Sequence, residues 1–161
     1  MPKVWCGDEP TSELLFGIEQ DFVMEPDVSS DTIVVVNLLN SHDVDAGSME
    51  DLFSSVQAII EACTTQPQRC VIFSSNHVRS GDETATPMHH MAPKTTVGLS
   101  HSMAEILLLT KLHEVKEWVV IRCENRHQLP DDDLIRQALL SEYSTMEGNF
   151  NKVDVVMYLE K

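Results

Sequence analysis

Ser74-Ser75-Asn76-His77 is the stretch of this chain with the most obvious chemical potential. It follows directly on an apolar run, Cys70-Val71-Ile72-Phe73, and so is expected at the carboxyl end of a central strand. In open α/β sheets that end is where ligand sites form. A serine, a histidine and a nearby carboxylate (Asp82 or Glu83) are the parts of a hydrolase triad. Residues adjacent in sequence seldom face one another as a triad requires. Strand-end capping, with His77 bonded to backbone, is therefore the plainer expectation.

Three other groups are candidates. Met88-His89-His90-Met91 has the donor types of a soft-metal site, but adjacent histidines point apart unless the chain wraps the ion. Asp131-Asp132-Asp133 could hold a cation, yet carboxylates also suit the positive end of a helix dipole. Asp8, Glu9 and Glu13 could supply carboxylates to a site, but without a spaced glycine pattern a solvated acidic face is the plainer expectation. The chain has only six glycines, and neither G-x-G-x-x-G, G-x-x-x-x-G-K-[ST] nor G-x-S-x-G occurs. Dinucleotide, P-loop and nucleophile-elbow chemistry are thus disfavoured.

The elements that must position these residues follow from periodicity. Residues 31–39, Asp-Thr-Ile-Val-Val-Val-Asn-Leu-Leu, are β-branched and almost continuously apolar, as in a strand covered on both faces. Met49, Leu52, Phe53, Val56, Ile59, Ile60 and Cys63 fall at helical spacing, with Ser48 as N-cap and Glu50 and Asp51 following it. Residues 70–73 form a second strand. Residues 76–95 lack periodicity and read as a long loop. Ser102-Met103-Ala104-Glu105 matches the capping box, predicting a helix from there to about His113. Residues 117–123 give a strand. Leu129-Pro130-Asp131-Asp132 opens a helix with Leu134, Ile135, Ala138 and Leu139 inward, and residues 153–159 give the last strand. Lys3 to Cys6 reads as a short strand, and Ser12 to Phe22 as an amphipathic helix. Strands alternating with helices predict a single α/β domain over 1–161, a three-layer α/β/α sandwich on a largely parallel sheet.

With 161 residues and 42% apolar content, the chain can bury a core without disulfides or metal. Cys6, Cys63, Cys70 and Cys123 make no C-x-x-C pair, as expected for thiols in a reducing compartment such as the cytoplasm. No apolar leader opens the sequence, and no apolar run approaches a membrane span. Twenty-six carboxylates against 11 Lys and Arg give a formal charge of −15. That field disfavours nucleic acid and anionic membranes, and favours a basic protein partner.

The run Gln68-Arg69-Cys70-Val71-Ile72-Phe73-Ser74-Ser75-Asn76-His77-Val78, with its Ser/Thr/Glu-containing loop, resembles the proteasome assembly chaperone family. So do Gly98-Leu99-Ser100-His101-Ser102-Met103-Ala104-Glu105-Ile106-Leu107 and Trp118-Val119-Val120-Ile121, which are similar to the helix and next strand of its first subunit. The resemblance spans about residues 31–140. It implies an α/β/α fold without catalysis or cofactor, a paralogous partner subunit, and docking on the proteasome α-ring. Family members commonly end in a hydrophobic–Tyr–any tail that enters a lysine-lined pocket. Met157-Tyr158-Leu159 has that pattern, here followed by Glu160 and Lys161.

An enzymatic alternative carries its own resemblance. Glu13 near Gly17, and His101 ahead of Ala104-Glu105-Ile106-Leu107, are loosely similar to the metal-sensing carboxylate and histidine of hydrogenase maturation endopeptidases. The glycine-rich aspartate motif of that family is missing. The expectation is therefore a protein-binding module, with Met157, Tyr158 and Leu159 as candidate contacts and Trp5, Phe22, Trp118 and Tyr158 as candidate anchors. In such a strand, Trp118 is more often a core residue. The alternative is a small metal-dependent hydrolase using Glu13, His77 and His101.

Overall fold

The computed structural model describes residues 2–7, 22–38, 46–75, 96–112, 114–115, 117–123, 135–136, 138–139 and 153–159. Its frame is one six-stranded sheet. In chain order the elements are β1 (Lys3–Cys6), β2 (Val23–Met24), β3 (Thr32–Asn37), helix α1 (Ala46–Ala62), β4 (Arg69–Ser75), helix α2 (Thr96–Lys111), β5 (Glu117–Cys123) and β6 (Val153–Leu159). The strand order is β2-β1-β3-β4-β5-β6. Strands β1 to β5 are parallel, and β6 runs antiparallel along the outer side of β5. The five parallel strands thus run in the order 2-1-3-4-5. The α/β class and largely parallel sheet expected from the sequence are what is found.

Strand alternation sorts the core into two halves. Val34, Val36, Cys70, Ile72, Trp118 and Val120 face α1 and α2, which supply Leu52, Val56, Ile59, Cys63, Ala104, Leu108 and Leu112. Ile33, Val35, Val71, Phe73, Val119 and Ile121 face the other way, toward Val4, Phe22, Ile135, Ala138 and Leu139. Every residue of β3 is buried, which is why its sequence is β-branched almost without interruption. Residues 135–136 and 138–139 are helical, and Ile135, Ala138 and Leu139 are buried as their spacing predicts. The third layer expected on that face is described only at these residues and at Phe22. The loop expected at 76–95 and the helix expected from Ser12 lie outside the described residues, apart from Phe22.

Two helix starts differ from expectation. α1 begins at Ala46, so Ser48 falls inside its first turn and does not cap it. α2 begins at Thr96, six residues before the supposed capping box. Ser102 instead donates its hydroxyl to the Gly98 carbonyl at 2.7 Å, one turn back. That bond satisfies a buried hydroxyl within a continuing helix. S-x-x-E thus has two physical solutions, and the sequence alone does not choose between them.

Gly7 follows β1 directly beneath Ile59 of α1. A Cβ there would lie 2.6 Å from both Cγ1 and Cδ1 of the buried Ile59. We expect Gly7→Ala to cost about 1–3 kcal/mol by overpacking, read as a lower midpoint in urea unfolding.

Two buried thiols lie in the helix-side core. Burial pushes Cys63 from 9.0 up to about 11, and pushes Cys70 well above 9.0, with Cys63 adding to it electrostatically. Because the folded values lie above the unfolded ones, the thiol contribution to stability is complete below pH 9.0. It is lost as pH rises toward 11 and beyond, where the unfolded chain has already released its protons. At pH 8, iodoacetamide should leave both residues unmodified in native protein and alkylate both in urea, as read by peptide mass. Labelling of either in the native protein would contradict this packing.

Candidate functional site

The described residues gather their most unusual chemistry at the carboxyl ends of β4 and β5, under α2. Ser74 and Arg122 are register partners on adjacent strands. Both fall on the helix-facing side, continuing the alternations Cys70-Ile72-Ser74 and Trp118-Val120-Arg122. Glu105 comes down from α2, one helical position from Ala104 and three from Leu108, both of which are core. All three polar side chains are fully buried.

Glu105 joins them. Its Oε1 accepts from Arg122 Nη2 at 3.0 Å and Nε at 3.2 Å, and its Oε2 accepts from Ser74 Oγ at 3.2 Å. Both carboxylate oxygens are therefore used. Burial raises the Glu105 carboxyl above its ordinary value, while the Arg122 charge and the bonds from Arg122 and Ser74 oppose the rise. The cluster ties two strands to a helix, and it offers substrate neither a free carboxylate oxygen nor an exposed nucleophile.

A second charged group fastens the opposite face. At the amino end of β4, Arg69 donates through Nε to Glu117 Oε2 at 2.9 Å, with Nη2 at 2.8 Å from the same oxygen. Its Nη1 donates to the Ala138 carbonyl at 3.0 Å. Arg69 thus connects β4, β5 and the helical residues 135–136 and 138–139.

The residues singled out from sequence are not brought together. Ser74 is held in the buried cluster. His101 is fully buried in α2 and already engaged by neighbours. Glu13, His77, Asp82, Glu83, Met88 to Met91, Asp8, Glu9 and Asp131 to Asp133 lie outside the described residues. Among the described residues, no three His, Cys, Asp or Glu stand together as a metal site would need. Met157, Tyr158 and Leu159 are the last residues of β6, opposite Val119, Trp118 and Glu117. They complete the sheet and do not extend from it as a tail. Of the candidate anchors, Trp118 and Phe22 are buried and Trp5 is partly buried.

Glu105 and Arg122 went unnoticed in the sequence for identifiable reasons. Glu105 was absorbed by the capping-box pattern. Arg122 sat in a β-run whose only signal was its parity with Trp118 and Val120, which places a charge on a core face.

No protein-family model matches this chain, and neither curated proteins nor solved structures compared with it give a match. No described helix is long and apolar enough to cross a membrane.

Proposed function

We propose that this protein is a non-catalytic, cytoplasmic protein-binding module, an assembly-chaperone subunit that works beside a paralogous partner on the proteasome α-ring. The observation that carries the reading is the sealed Ser74–Glu105–Arg122 cluster. It occupies the end of the sheet where an α/β enzyme keeps reactive groups open to substrate. Among the described residues there, Ser74, Glu105 and Arg122 are spent on one another, which supports a structural role for them. The resemblance of residues 68–78, 98–107 and 118–121 to the chaperone family supports the same reading, as does a formal charge of −15 that suits basic protein surfaces. Met157 to Leu159 belong to β6, so the partner contact proposed for them is made from the sheet's last strand and not from a free tail.

The test is to express the tagged chain in a eukaryotic cell extract and identify what co-purifies at moderate salt. Proteasome α subunits together with a second subunit of similar size are expected. Metal analysis of the same sample decides against the reading if it finds stoichiometric nickel or zinc that disappears in His101→Ala.

A further inference from the structure

Among the described residues, the exposed apolar side chains are not scattered. Of the four large hydrophobic residues exposed there, three belong to α2: Leu99, Met103 and Ile106, each close to half exposed. They follow one another by four and three residues, so they form one stripe along the helix. Inward-facing residues of the same helix, including Ala104, Glu105 and Leu108, are fully buried, so the stripe faces away from the sheet.

The helix beside it contributes charge of one sign. α1 and α2 pack on the same face of the sheet and share a core. On α1 the exposed positions include Glu50, Asp51 and Glu61, and the helix has no Lys or Arg. The only Lys or Arg in either helix is Lys111, in the last turn of α2. This asymmetry extends through the chain. Residues 4–68 contain no Lys or Arg and 13 Asp and Glu, whereas the other ten Lys and Arg all lie from residue 69 onward. Lys3, the one cation before Arg69, is already paired with Asp31 at 3.1 Å.

An apolar stripe beside a helix whose charged residues, Glu50, Asp51 and Glu61, are all acidic specifies complementary chemistry. We propose that the outer surface of the α1–α2 layer docks an amphipathic, lysine- or arginine-bearing helix of a partner protein. Its apolar side would rest on Leu99, Met103 and Ile106, with its cations toward Glu50, Asp51 and Glu61. The assignment rests on the protein-binding reading above and names the face that performs it. A second copy of this chain fits poorly, because it would bring the same carboxylates against themselves.

Three 18-residue peptides test the face by fluorescence anisotropy: a Leu/Lys amphipathic helix, a Leu/Glu helix of the same pattern, and a Ser/Lys peptide of equal charge. The Leu/Lys helix should bind at least 10-fold more tightly than either control and weaken between 50 and 500 mM salt (about 10-fold in ionic strength). Met103→Ser/Ile106→Ser, at two exposed positions, should keep the wild-type melting temperature and weaken that binding at least 10-fold. Glu50→Lys/Glu61→Lys should weaken it several-fold and flatten the salt dependence. If the first variant melts early, Leu99→Ser alone decides.

Equal binding of the Leu/Lys and Ser/Lys peptides, or unchanged affinity in the stripe variant, overturns the proposal. So does concentration-dependent dimerisation that the stripe variant abolishes, since the face would then belong to a second copy. Recovery of α subunits from extract is scored separately. Undiminished recovery by the stripe variant overturns this face and leaves the chaperone reading. Failure of recovery by wild type overturns that reading, while the peptides still decide the face.

Discussion

Arg122→Met should destabilise the fold by about 3–5 kcal/mol, among the larger effects a single substitution can have here. The reason lies in what it leaves behind. Glu105 would keep a fully buried carboxyl with only the Ser74 hydroxyl to satisfy it. Glu105→Leu should cost a similar amount by removing the oxygen that accepts two of the buried guanidinium's hydrogen bonds. Combining Glu105→Leu, Arg122→Met and Ser74→Ala should restore most of the loss, because replacing a buried ion pair with apolar groups of similar volume is often neutral or stabilising by about 1–4 kcal/mol. Urea unfolding of the three proteins tests this non-additivity. Additive losses would mean that the groups do not act as one cluster.

The pH dependence has a definite sign. Burial holds the Glu105 carboxyl above its ordinary value. Its contribution is therefore complete below the unfolded glutamate range and declines as pH rises through the higher folded value. The stability of wild type relative to the triple variant should fall over that interval. The triple variant should also retain partner binding, since the cluster is assigned no contact with the partner. Loss of binding with the fold intact would return that cluster to the functional surface.

Arg69→Ala carries the second large effect, about 2–4 kcal/mol. It removes a charge-assisted pair of contacts to Glu117 and leaves the Ala138 carbonyl without its cationic donor. Glu117 is partly exposed, so solvent weakens its half of the pair and most of the loss comes from the Ala138 side. The loss should be local as well as global. Hydrogen exchange at residues 135–139 should quicken more than at β3 or β4. Uniform quickening across the sheet would show that Arg69 is only one more core residue. Glu117→Gln, which keeps the Ala138 bond, should cost less than half as much.

The strands were legible in the sequence because burial on both faces leaves little choice of residue. Thr32 to Asn37, Arg69 to Ser75 and Glu117 to Cys123 show themselves as apolar or β-branched runs. β2 was not legible: two residues, Val23 and Met24, carry no period, and they are strand only because Val23 and Glu25 donate to the Pro2 and Val4 carbonyls. The candidate site was hidden for a different reason. Glu105 and Arg122 are 17 residues apart and meet only because β4 places Ser74 beside Arg122 and α2 crosses above them. Their pairing is a property of the sheet order, which no local pattern contains. The stripe on α2 was present in the sequence as Leu99, Met103 and Ile106. Its exposure was not, since apolar residues at helical spacing ordinarily mark the inner face.

The antiparallel partner of β5 also has a consequence for synthesis. β5 can complete its ladder with β4 as soon as Cys123 is available, but Val153, the first residue of β6, comes 30 residues later. At about 5–20 residues per second, ribosomes leave that edge uncovered for roughly 1.5–6 s. Throughout that interval the nascent chain presents Trp118-Val119-Val120-Ile121 along an unpaired backbone, the kind of edge on which two growing chains can join. Crowded polysomes are thus the setting in which this protein is most exposed to misassembly.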